Sequence, residues 1–86
     1  MDTIIITDKD NNKKEMEVTM TFNLHGYEDT YIIYNEIDKS HYYLGKYKEF
    51  STKMNNNFTP EEYALCEKIF ERVVKKNAWS KPTYKY

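Results

Sequence analysis

One cysteine is all that the 86 residues contain, which excludes an intrachain disulfide and an all-cysteine metal site. Small secreted domains usually carry several bridges, so a reducing, cytoplasmic location is the expectation. With two glycines and two prolines, the chain has no Gly-rich phosphate loop and no nucleophile elbow. No charge of one sign prevails. Thirteen basic against fourteen acidic residues leave a formal charge of -1, so no global field draws the chain to nucleic acid or an anionic membrane. Long apolar runs are missing too. Met1 to Thr7 lacks the basic flank and length of a signal peptide or membrane span, and a soluble, unprocessed protein is expected.

What is present is a folding pattern. Apolar residues make up 40 % and aromatics 16 %, well above a disordered composition, while a mean hydropathy of -0.92 implies a charged exterior. The length suits one domain near the lower limit for a single apolar core. The hydrophobic period changes along it: two-residue alternation up to about Phe50, then one helical stripe from Tyr63 to Val74. The pattern predicts an α+β domain over 1–78, about four antiparallel strands in one sheet packed against a single C-terminal helix. A tail, 79–86, follows.

Strands are predicted at about 3–8, 14–24, 30–36 and 41–50. The first is β-branched and suits a central or well-covered position. Asp8 to Lys13 is polar turn chemistry, in which Asx side chains bond their own backbone and Asn tolerates positive φ. From Glu15 to Leu24 the alternation is nearly perfect, with Met16, Val18, Met20, Phe22 and Leu24 on one face. His25-Gly26 supplies a turn. Tyr31-Ile32-Ile33-Tyr34 is apolar to both sides, and His41 to Tyr47 sends Tyr42 and Leu44 one way, Tyr43 and Tyr47 the other. Ser51 to Asn57 has no period and reads as a loop.

The helix, about 60–76, announces its start. Thr59 is an N-cap, Pro60 takes the first helical position, Glu62 completes a capping box, and Phe58 with Tyr63 forms a hydrophobic staple. Cys66, Ile69, Phe70, Val73 and Val74 form its apolar stripe; Glu67, Lys68, Glu71, Arg72 and Lys75 face away.

In order and pattern the chain resembles the YrzB-like family of small Firmicutes proteins of unknown function, a strand-rich domain followed by one helix. The likeness rests on Ile5 to Val18 as its first hairpin, Thr21-Phe22, Tyr31 to Tyr34, Tyr42 to Tyr47 and the helix around Glu61 to Val74. Asn11 departs from the family's frequent Gly, Ser51 to Phe58 from its apolar link, and the tail from Trp79 is additional. The resemblance implies the fold and a bacterial or phage cytoplasmic origin. It carries over no catalytic residue.

Catalytic and metal chemistry find little support. Asp8, Asp10 and Asn12 have the spacing that opens a calcium loop, but Lys13 stands where Gly is needed and Thr19 where the closing Glu belongs. His25, His41 and Cys66 lack zinc-site spacing. Cys66 lies in the apolar stripe, and Asp38, Ser40 and His41 are framed by no triad motif. No enzyme activity, cofactor or metal is expected.

Nine tyrosines are the better lead. If Tyr31, Ile33, Tyr42 and Leu44 face the helix, then Ile32, Tyr34, Tyr43 and Tyr47 are left outside; the inverted register fits the alternation equally, and whichever set is outward forms a patch suited to a protein partner or a second copy. Cross-strand tyrosine pairs with wet hydroxyls would account for the same residues without a partner. The expected role is a non-catalytic interaction or regulatory module using Tyr34, Tyr43, Tyr47 and Ile32. An alternative is nucleic-acid binding through Tyr43 and Tyr47 with Lys46 and Lys48, near Lys39 and Lys53, since bases stack on exposed rings. Another is a phage-encoded inhibitor of a host enzyme.

Overall fold

A computed structural model of the chain describes residues 2–37, 41–51 and 53–77. They form β1 (Thr3–Thr7), β2 (Lys13–Asn23), β3 (Thr30–Glu36), β4 (Tyr42–Tyr47), β5 (Met54–Asn55) and α1 (Pro60–Asn77). The strands make one antiparallel meander in the order β1-β2-β3-β4-β5, closed on one face by the helix. This is the expected α+β arrangement with one strand more. Met54 and Asn55 pair with Tyr47 and Lys46, and two residues are too few to show a period. Asp38, Lys39, Ser40 and the tail 79–86 lie outside the described residues.

Turn chemistry sets the connections. In the first hairpin Asp8 Oδ1 accepts from the backbone N–H groups of Asp10 and Asn12, both at 2.9 Å, and Asn11 takes φ 67°. Asn is among the few residues that adopt this conformation at low cost. Between β2 and β3 the Tyr27 N–H donates to the Leu24 carbonyl at 3.1 Å, and Gly26 has φ +86°, as a type II turn requires at its third residue.

The face assignment of β2 needs correction. Its register slips between Val18 and Met20, leaving Thr19 as a bulge. An extra residue in a period-two element exchanges the faces beyond it. Phe22 opposite Tyr31 and Met20 opposite Ile33 therefore lie on the helix side, whereas Val18 opposite Tyr34 and Met16 opposite Glu36 lie on the other. Hydrophobicity alone could not reveal this, because both halves are apolar at alternate positions.

On the helix side Ile33, Tyr42, Phe70 and Val74 form the core, with Phe22, Leu44, Ile69 and Val73 packed against it. Cys66 is fully buried beside them in sequence along α1. The opposite face is not left flat and open. Ile4 and Ile6 of β1, Val18, Ile32, Tyr47 and Met54 of β5 line one cleft, so the first and last strands curl toward each other around it. This is why β3 is apolar on both faces and why Ile32, expected outside, is only 3 % exposed.

Two further expectations fail. β1 is an edge strand, and Ile5, pointing away from the concave face, is 59 % exposed; its β-branched run reflects strand propensity more than cover. β4 ends at Tyr47, and Lys48 to Ser51 forms a turn in which the Ser51 N–H donates to the Lys48 carbonyl at 2.9 Å. Phe50 sits there at φ 65° and is 99 % exposed. At the other end α1 includes Asn77, one residue past its expected limit.

Candidate functional site

The helix start is tied to the sheet by charge. The Thr59 hydroxyl accepts from the Glu62 N–H at 3.2 Å while Glu62 Oε1 accepts from the Thr59 N–H at 3.1 Å, a completed capping box. Glu62 is also nearly buried, and its carboxylate receives the Tyr31 hydroxyl at 2.5 Å and Lys46 Nζ at 3.0 Å to each oxygen. Lys46 lies 3.4 Å from Asp29 as well. Burial pushes the Glu62 carboxyl up, but the hydrogen bonds from Tyr31, Lys46 and Thr59 outweigh it and hold the group below its usual range. Burial likewise opposes the Lys46 charge, and the bonds to Glu62 and Asp29 prevail, so its ammonium titrates higher than usual. Two carboxylates thus share one ammonium and tie the helix start to β4, a structural clamp.

Beside that clamp lies an aromatic cleft of about 520 Å³. Tyr34 and Tyr43, opposite each other on β3 and β4, stack with centroids 5.4 Å apart and planes at 21°. Burial, then the neighbouring Tyr43, pushes the Tyr34 phenol up. Leu44, Phe58 and Tyr63 add apolar walls, Phe58 meeting Tyr63 edge-on at 5.9 Å in the predicted staple. Glu67, one helical turn beyond Tyr63, supplies a carboxylate. The cleft runs along a stretch of β4 that β5 does not cover, since β5 pairs only with Lys46 and Tyr47. Tyr43 is 39 % exposed there.

The concave face holds a second cleft, about 900 Å³, with Ile4, Ile6, Val18, Ile32, Tyr47 and Met54 in its wall. Gly45 separates the two groups of tyrosines. A Cβ on Gly45 would lie 2.8 Å from Met54 Sδ, so Met54 closes over the strand only because that side chain is absent.

The four residues expected to form one patch share the sheet face away from the helix, but only two of them meet in each cleft. Tyr34 and Tyr43 line the aromatic cleft, while Tyr47 and the buried Ile32 line the concave one. Of the lysines expected to flank them, Lys46 is buried in the clamp on the helix side and Lys48 is exposed in the turn after β4. Lys53 is exposed beside the concave cleft. Burial pushes the Cys66 thiol up to about 11, so it is protonated at neutral pH. Among the described residues no three His, Cys, Asp or Glu side chains are grouped as metal ligands, and no helix is long and apolar enough to cross a membrane.

Sequence reasoning left Glu67 on the solvent face and used Phe58, Glu62 and Tyr63 only as capping residues. The signal available for the cleft was that Tyr63, Glu67 and Phe70 follow i, i+4, i+7 spacing along one flank of α1. No protein-family model, curated protein or solved structure matches the chain.

Proposed function

We propose that the protein is a small non-catalytic interaction module that binds a protein partner at the tyrosine-bearing end of β3 and β4. The observation that carries this reading is the stacked Tyr34 and Tyr43 pair, with Tyr43 39 % exposed, beside the length of β4 that β5 leaves unpaired. An uncovered strand edge offers backbone donors and acceptors, and stacked tyrosines offer contact area at low entropic cost. Phe50, 99 % exposed on a positive-φ turn, is a second aromatic whose placement no contact among the described residues explains. The nucleic-acid alternative loses Lys46, which is buried and paired. A cytoplasmic, bacterial or phage setting, and with it the host-enzyme inhibitor, rests on the single cysteine and the family resemblance.

The test is capture of a partner by the tagged full-length chain, with stepwise salt elution, using wild type and Tyr43→Ser in parallel. A salt-tolerant complex that Tyr43→Ser abolishes is the expected result. Capture of RNA or DNA that falls steeply with salt would replace the protein reading with the nucleic-acid one.

A further inference from the structure

We infer that the aromatic cleft receives the side chain of a lysine from an extended segment of the protein partner. This rests on the interaction reading above and adds the chemistry of the contact. Tyr34, Tyr43, Phe58 and Tyr63 bring aromatic rings to the cleft, Leu44 contributes aliphatic surface, and among the described residues the one charged residue in its wall is Glu67. Among the described residues no ion pair engages that carboxylate. Ring faces attract cations through their quadrupole, and a carboxylate at the rim adds direct charge complementarity. An alkyl stem ending in an ammonium matches such a wall, whereas a carboxylate or phosphate would meet repulsion from Glu67. The chain already shows the same chemistry on its own lysine. Lys46 Nζ lies 5.3 Å from the centre of the Phe58 ring while bonded to the Glu62 carboxylate. An extended segment is required because the cleft borders the part of β4 that β5 leaves unpaired, where a strand can be added.

The experiment is a titration of isotope-labelled full-length protein followed by amide chemical shifts. The probes are N-acetyl-lysine methylamide, its trimethyl-lysine counterpart and, as the uncharged control, N-acetyl-norleucine methylamide. Saturable shifts at Tyr43, Leu44, Tyr63 and Glu67 are expected with both lysine probes, and binding roughly fivefold weaker with norleucine. Glu67→Gln should weaken the lysine probes by about the same factor and leave the remaining spectrum in place. Equal binding of norleucine, indifference to Glu67→Gln, or shifts confined to another surface would overturn the inference. So would a dimer of the unliganded protein that Tyr43→Ser dissociates, which would make a second copy the occupant. If Tyr43→Ser abolishes partner capture but Glu67→Gln does not, the interaction reading stands and the lysine inference falls.

Discussion

The Tyr31 hydroxyl donates to the Glu62 carboxylate at 2.5 Å, joining the middle of the sheet to the first turn of the only helix among the described residues. Through this bond a residue of β3 fixes where α1 begins. The same carboxylate closes the capping box and holds Lys46. Three elements therefore depend on one side chain, and Glu62 is where the fold is most sensitive to a single polar change.

Glu62→Leu is expected to destabilise the domain by about 3 kcal/mol, because it leaves Tyr31 buried without its acceptor, leaves Lys46 with Asp29 alone and removes half of the capping box. Adding Lys46→Met and Asp29→Asn should recover about 1 kcal/mol or more of that loss, since no member of the cluster then carries a charge. Urea unfolding of the wild type, Glu62→Leu and the triple variant measures this. A triple variant no more stable than Glu62→Leu alone would mean that the remaining buried charges are not the source of the cost.

Acid and alkali should attack the same clamp from opposite sides. Glu62 titrates below its ordinary 4.5 in the folded chain, so its contribution is complete at neutral pH and is lost as pH falls from about 4.5 through the folded value. Asp8, held low by the backbone N–H of Asn12, adds to this limb. Lys46 titrates above its ordinary 10.5, so its contribution is complete below that pH and is lost as pH rises through the folded value. Tyr31 and Cys66 are pushed up by burial; above about pH 9 to 10 the unfolded chain ionises first, which also lowers stability. Denaturant midpoints from pH 2 to 11 should form a plateau with two falling ends. Glu62→Gln should flatten the acid end, and an unchanged acid limb would place the titrating group elsewhere.

Asn11 and Gly26 both occupy positive φ, and their replacements should differ in sign of strain. Asn11→Gly removes the side-chain penalty but adds freedom to the unfolded chain, so the net change is expected within about 0.5 kcal/mol. Asn11→Ala and Gly26→Ala should each cost about 1 kcal/mol, the latter although nothing lies within 4 Å of the added Cβ. Thermal midpoints of the three variants test this, and a neutral Gly26→Ala would show that the turn relaxes to another type.

How legible all this was in the sequence varied with range. The helix start was fully readable, because capping box and staple are contacts between residues three to five apart, Thr59 with Glu62 and Phe58 with Tyr63. The division of β3 and β4 into two faces was readable from alternation, and the helix does cover Tyr31, Ile33, Tyr42 and Leu44. The curl that buries Ile32 was not, because it depends on β1 and β5 approaching across the sheet. Lys46 was misread for a similar reason. Its partner Glu62 is sixteen residues away, and nothing local marks a lysine as paired.

The bulge at Thr19 gives the sharpest test of how sequence sets the sheet. Thr19 Oγ1 donates to Asn35 Oδ1 at 2.5 Å, and Asn35 is buried with its amide turned to the Glu36 carbonyl at 3.1 Å. Thr19→Val keeps the shape and removes the donor, so it should cost about 1 to 2 kcal/mol for the unsatisfied Asn35 oxygen. Deleting Thr19 is a different perturbation. Val18 then becomes the direct neighbour of Met20, and the two already pair with the adjacent residues Tyr34 and Ile33, so regular one-to-one pairing runs through the gap and every side chain keeps its face. The deletion should therefore fold, and its main cost is the lost Thr19 bond to Asn35, about 1 to 2 kcal/mol as for Thr19→Val. Circular dichroism, amide spectra and denaturant midpoints of the deletion beside Thr19→Val test this. A deletion variant that fails to fold would mean that β2 needs the bend and twist of the bulge itself and not only its side-chain bond.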